Sequence, residues 1–142
     1  MTTQSARPPK PAPQPVNPEV SRPFWEGAKR HELMLPRCLH CSRYHFYPRE
    51  LCPHCLSDKI EWVPASGRAS LYTYSIIHQP AHPAFTGDVP YVYAIVQLAE
   101  GVLMPSNIVD CSIPDGLRIN MPLVPVFEDL SPDWTLVKFK PA

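Results

Sequence analysis

Apolar and polar positions divide the chain into three stretches. Residues 1–23 hold seven prolines and few large apolar side chains. Such a segment cannot bury enough surface to offset its ordering entropy, so residues 1–20 are expected to form a flexible tail with polyproline II character. A short helix is predicted next. Ser21 would cap it, Pro23 suits its first turn, and Phe24, Trp25 and Ala28 form its apolar face. Gly27 weakens it by about 1 kcal/mol relative to Ala, so packing must hold it, with Trp25 as anchor. Leu33-Met34-Leu35 reads as a short strand and Ile60-Glu61-Trp62-Val63 as the segment closing the same module. Beyond Pro64 the pattern changes to strand-like alternation. Arg68–His78 places Ala69, Leu71, Thr73, Ser75 and Ile77 on one face and Tyr72, Tyr74 and Ile76 on the other. Tyr91–Leu98, Val102–Val109, Leu123–Phe127 and Thr135–Phe139 complete five runs, with Ala99-Glu100-Gly101 as a tight turn. One non-strand insert, Cys111–Asn120, interrupts them. This describes a small closed or half-closed barrel, with Pro125 at an edge or bulge. The expected organisation is a tail over 1–20, a helix and small module over 21–64, and a barrel over 65–142.

Composition sharpens the picture. Twenty prolines against five glycines limit helix, and a 44% hydrophobic share suffices for a core. Thirteen basic and thirteen acidic residues give a net charge of zero, which counts against a general nucleic-acid or anionic-membrane binder. In residues 65–142 four basic side chains face seven acidic ones, a net −3, where a barrel tracking a phosphate backbone needs the opposite sign. Tyr72, Tyr74, Tyr91 and Tyr93 form a possible stacking platform, yet no Lys/Arg cluster surrounds them; they fit a core or a protein interface better. No run approaches the roughly 20 apolar residues of a membrane span, and the N-terminus has no apolar signal region, so a cytoplasmic protein is expected.

The strongest chemical signal is Cys38-Leu39-His40-Cys41 followed, after ten residues, by Cys52-Pro53-His54-Cys55. Each pair can present two sulfurs to one side as a knuckle, and a ten-residue hairpin can fold one knuckle onto the other. Four thiolates complete the closed tetrahedral shell of a structural zinc, with iron the main competitor. A redox pair would need a strand-to-helix junction that neither CxxC has. With four sulfurs filling the shell, His40 and His54 are expected to be exposed spacers. The fifth cysteine, Cys111, is flanked by Asp110 and followed by Asp115, and is expected to pack as a small apolar side chain. Pro80 and Pro83 prevent His78 and His82 from sharing a helix, so they belong to a loop. Phosphate-loop, GxSxG and HExxH motifs are lacking.

The order of parts resembles a known family. Pro23-Phe24-Trp25-Glu26, Arg37-Cys38, Cys41, Tyr47-Pro48-Arg49, Cys52-Pro53-His54-Cys55, Glu61-Trp62, Ser66-Gly67-Arg68, Glu100-Gly101, Asn107-Ile108-Val109 and Lys138-Phe139-Lys140-Pro141 match small proteins that pair a rubredoxin-like zinc ribbon with an OB-fold, long known only as a domain of unknown function. The resemblance spans about residues 21–142. It departs from the family after each knuckle, where Gly is frequent and Ser42 and Leu56 stand here; Gly eases a turn with positive φ. The resemblance implies a mainly β fold of helix, zinc ribbon and five-stranded OB-fold barrel. It implies a non-catalytic accessory subunit of a thiolase-superfamily enzyme, thiolase-like or aldolase, in acyl-CoA metabolism including steroid breakdown. A hot-dog-fold hydratase is a further partner and the ribbon–barrel cleft a candidate acyl-CoA site. Because basic residues concentrate in the helix and ribbon, Arg37 and Arg49 are candidate contacts for CoA phosphates, although pairing with Glu32 and Glu50 is the competing use. An OB-fold nucleic-acid binder and a stand-alone acyl-CoA binder are the alternatives. A homodimer is left open.

Overall fold

The computed structural model describes residues 8–142, so the first seven residues of the expected tail lie outside the described residues. Helix α1 spans Pro18–Lys29 and starts three residues before the predicted cap. The reason is Pro18, whose missing N–H costs nothing at a first helical position and whose fixed φ suits it. Ser21 is consequently inside the helix, buried, with its hydroxyl donating back to the Asn17 carbonyl at 3.1 Å. Pro23 lies inside the helix rather than in its first turn. The buried face is Ser21, Phe24, Gly27 and Ala28. A Cβ on Gly27 would stand 2.4 Å from Met34 Cγ and 3.1 Å from the Glu32 carbonyl, so the residue that weakens the helix lets it pack closely against the first ribbon strand.

The chain leaves α1 through His31 at φ 61° and enters β1 (Met34–Cys38), which pairs antiparallel with β2 (Ile60–Pro64). Leu33 and Leu35 are buried beneath this ribbon. Strands β3 (Ala69–Ile77), β4 (Tyr91–Leu98), β5 (Leu103–Ile108), β6 (Pro122–Asp129) and β7 (Thr135–Pro141) close a barrel in the order β3-β4-β5-β7-β6. This is the mainly β, five-stranded OB-fold that the sequence led us to expect.

One register differs from expectation. A bulge at Tyr72 shifts the β3–β4 pairing, so that Leu71 faces Val96 and Thr73 faces Ile95. The extra residue reverses the alternation. Leu71 is fully buried, whereas Thr73 and Ser75, expected on its face, are exposed; Tyr74 and Ile76 pack on the core instead. Elsewhere alternation holds, with Val92, Ala94, Val96 and Leu98 of β4 all inside. Pro125 lies beyond the last β3–β6 pair, where β6 has β7 as its only neighbour. The insert after β5 folds back over one end of the barrel: Leu71 N–H donates to Met121 O at 3.0 Å and Asn120 N–H to Leu71 O at 2.7 Å. One core of Phe24, Leu33, Leu35, Leu71, Val92, Val96, Leu123 and Phe139 joins helix, ribbon and barrel. Among the described residues no helix is long and apolar enough to cross a membrane.

Candidate metal centre and apolar cleft

The two knuckles adopt the same conformation. In the first, Cys38 N–H donates to Arg43 O and Ser42 N–H to Cys38 O, both at 2.9 Å; in the second, Cys52 N–H donates to Ser57 O at 2.8 Å and Leu56 N–H to Cys52 O at 2.9 Å. The closing residues, Ser42 at φ 64° and Leu56 at φ 65°, stand in the left-handed region that glycine adopts freely. The strain foreseen from the missing glycines is therefore present.

The fold brings all four predicted ligands together, their sulfurs lying within 4.8 Å of one another. Cys38 and Cys55 approach to 3.5 Å, Cys41 and Cys52 to 3.7 Å. A tetrahedron with metal–sulfur bonds of about 2.3 Å has edges of about 3.8 Å, so the set fits a tetrathiolate shell. Backbone N–H groups point at two sulfurs, Cys41 at Cys38 Sγ (3.4 Å) and His54 at Cys52 Sγ (3.3 Å). The Cys41 N–H pulls the Cys38 thiol down to about 6 against the effect of burial. The Ser57 backbone lowers Cys55, but burial and the sulfurs of Cys38, Cys41 and Cys52 outweigh it and push that thiol up to about 12. The pair thus holds a proton that a divalent cation would displace. His40 and His54 are exposed, as expected of spacers; the His54 ring approaches the Tyr44 carbonyl at 3.4 Å.

The remaining sequence candidates separate. Arg37 is half-buried on β1 and its guanidinium is engaged. It lies 3.7 Å from the Glu61 carboxylate, its cross-strand neighbour, donates from Nε to Ser42 O at 3.3 Å and sits 5.7 Å from the centre of the Tyr44 ring. The expected use of Glu32 does not occur; Glu32 pairs with Arg30 at 3.5 Å. Arg49 is exposed and follows Pro48 in the ribbon loop. His82 caps the short turn Pro83–Phe85, accepting the Ala84 N–H at 3.0 Å. Cys111 is half-buried against Gly116, where a Cβ would meet its sulfur at 2.7 Å.

The sequence did not disclose how the cleft between ribbon and barrel is built. Strands β5 and β7 pair only at Ile108 and Phe139 and then part. Pro105 offers no N–H to that side of β5. Into the gap fit Phe24 and Trp25 of α1 and Phe46-Tyr47-Pro48 of the ribbon loop, leaving an apolar cleft of about 370 Å³ floored by Met104, Pro105, Leu136 and Val137. A proline inside a predicted strand was the available signal. Its barrel-side polar side chains are committed. Ser106 donates to Val137 O at 2.8 Å, Asn107 to Val92 O at 2.9 Å, and Lys138 pairs with Glu128.

A four-cysteine ribbon sharing one core with a five-stranded barrel defines the two-part zinc-ribbon and OB-fold class. Comparison with known proteins gives the family: the model of the rubredoxin-like zinc ribbon domain of ChsH2 matches residues 25–61, and that of its C-terminal OB-fold domain residues 62–128. The chain belongs to this ChsH2-type DUF35 family. It is 37% identical over 111 residues to a DUF35 domain-containing scaffold protein of Methanocaldococcus jannaschii, covering 77% of each chain. It is 40% identical over 120 residues to a probable enoyl-CoA hydratase alpha subunit of Thermomonospora curvata, which covers 84% of this chain but only 37% of that longer protein. Among solved structures, a chain of the Ltp2-ChsH2(DUF35) aldolase superposes with a TM-score of 0.80 at 36% identity, covering 90% of this chain and 98% of that one.

Proposed function

We propose that this chain is a non-catalytic accessory subunit that docks on a thiolase-superfamily enzyme and helps complete its acyl-CoA site. The observation that carries this reading is the seam cleft. It is apolar and aromatic, and its barrel-side polar side chains, Ser106, Asn107 and Lys138, are already paired within the fold, which suits a surface that holds an acyl chain. The scaffold name of one relative and the aldolase assembly of another support the same reading. The hydratase name of the longer relative makes a hot-dog-fold hydratase the second candidate partner.

The metal in this reading is zinc, held by Cys38, Cys41, Cys52 and Cys55. It supplies folding free energy to a ribbon with little core of its own and takes no part in chemistry. CoA phosphates would lie toward the ribbon, with exposed Arg49 the better placed contact and Arg37 requiring release from Glu61.

The test is to co-express the chain with a thiolase-superfamily subunit from the same source. Co-elution by size exclusion, together with a lower KM for acyl-CoA in the complex than in the partner alone, is the expected result. An R37A/R49A variant should form the complex but lose that gain in KM. Turnover of a thioester by the isolated chain, or a partner whose stability and rate ignore its presence, would sink the proposal.

A further inference from the structure

Three adjacent strands of the barrel carry no charge. Every residue of β3, β4 and β5 is neutral, whereas β6 and β7 carry Glu128, Asp129, Lys138 and Lys140. Burial does not account for the difference. β4 alternates regularly, so Tyr93 and Gln97 stand outside while Val92, Ala94 and Val96 fill the core. The β3 bulge leaves Thr73 and Ser75 exposed on that same outer side. Register then lines up two rows across the wall, Thr73–Ile95–Pro105 and Ser75–Tyr93–Asn107. Tyr93 is 47% exposed, Leu103, opposite Gln97, 41%, and Tyr72, at the bulge, 50%.

Large side chains half open to water, with no charge among them, suit one kind of occupant. A nucleic acid or an anionic membrane needs Lys and Arg, which this wall lacks. The covered centre of a protein–protein contact is depleted in charge and enriched in tyrosine. Position narrows the choice further. β5 is both the last strand of the wall and one lip of the seam cleft, for Pro105 and Asn107 belong to both. The cleft's other barrel lip is β7, where Lys138 pairs with Glu128 and Lys140 is exposed. A partner that completes an acyl-CoA site at the cleft must border it, and of these two barrel flanks only the β5 side offers a charge-free approach.

We propose that the outer face of β3–β5, centred on Tyr93, is where a thiolase-superfamily subunit docks through an uncharged, largely apolar patch of its own, so that the partner's edge meets the seam cleft at Pro105. This rests on the reading of the chain as an accessory subunit.

The full-length chain and its Tyr93→Lys, Leu103→Lys and Lys140→Glu variants are titrated against that partner subunit, with urea melts of each free chain as the control for folding. All three positions are open to solvent, so the melts should stay close to the parent's. Tyr93→Lys and Leu103→Lys should each weaken the complex by at least about tenfold, and Lys140→Glu, on the charged wall, by less than about threefold. Hydroxyl-radical footprinting of the parent complex gives a reading that needs no variant: Tyr72, Tyr93 and Leu103 should lose reactivity on binding. Wall variants that bind as tightly as the parent, an equal loss in Lys140→Glu, or Tyr93 and Leu103 left unprotected in the complex would overturn the docking face. So would a dimer of the free chain that Tyr93→Lys dissociates, which would give the wall to a second copy. A complex that forms but ignores the wall sinks the docking face alone; a parent chain that binds no thiolase-superfamily subunit sinks the accessory reading and the docking face with it.

Discussion

Replacing Ser42 by glycine should make the protein more stable. Ser42 closes the first knuckle at φ 64°, a conformation that costs an L-residue about 1–2 kcal/mol. Glycine removes this strain but loses about 0.5–1 kcal/mol through its freer unfolded state. The Ser42 side chain is exposed and only its backbone is used, the N–H by Cys38 O and the carbonyl by Arg37, so no side-chain contact is sacrificed. The net gain is about 0.5–1 kcal/mol. Leu56, at φ 65°, gives up a side chain that is 74% exposed, and the remaining burial of about a quarter of a leucine, roughly 0.5 kcal/mol, brings Leu56→Gly close to neutral. Ser42→Val provides the opposite arm: a β-branched side chain in the left-handed region should cost at least 1 kcal/mol relative to serine. Urea unfolding of metal-loaded protein gives the order Gly above Ser above Val, and chelator-driven metal loss should slow in the same order. A glycine variant no more stable than the parent, or a valine variant equal to it, would refute strain at the knuckle.

Other perturbations reach different parts of the molecule. If the four-cysteine cluster holds one metal ion, Cys52→Ser, at a fully buried member of it, should bring metal content to near zero by elemental analysis and unfold the ribbon, with part of the barrel's circular-dichroism signal surviving. Gly27→Ala should destabilise by about 1–2 kcal/mol in urea melts despite alanine's better helix propensity, because its Cβ meets Met34 and the Glu32 carbonyl. The Asp129 carboxyl is held below the usual carboxylate range, first by the hydrogen bond with His31 (3.0 Å) and then by the Thr135 hydroxyl (2.7 Å). A depressed folded-state pKa gives stability that is complete above the unfolded carboxylate's pKa and lost as pH falls through the folded one. Thermal melts between pH 6 and pH 3 should therefore show a shallower acid loss in Asp129→Asn than in the parent.

The four-cysteine cluster, the barrel and most of its inward face were legible because each rests on a local pattern. Two CxxC pairs name four sulfurs whatever the chain does between them, and β4 alternates without interruption from Val92 to Leu98. What escaped depends on events between distant residues. The β3 bulge is a property of pairing with β4, and nothing in Leu71-Tyr72-Thr73 announces the extra residue that turns Thr73 and Ser75 outward. The helix begins upstream of the predicted start because Pro18 has already fixed a helical φ there, although Ser21 has the chemistry of a cap. Arg37 and Glu61 are cross-strand neighbours 24 positions apart, so the competing partner assigned from the sequence was the wrong glutamate. The cleft, made where β5 and β7 separate, uses four elements that no single window contains.

The way the barrel is closed has a consequence for how the chain is made. Its closing strand, β7, is the last of the five barrel strands to be synthesised, yet it sits between β5 and β6 in the finished wall and brings in Phe139, fully enclosed at the single β5–β7 pair. Until β7 is in place, the inward side chains Leu71, Val92, Val96 and Leu123 lack the wall that Phe139 completes. Nascent chains arrested before Thr135 should therefore be readily cut by protease within β3–β6, and those extended well past Pro141 should resist.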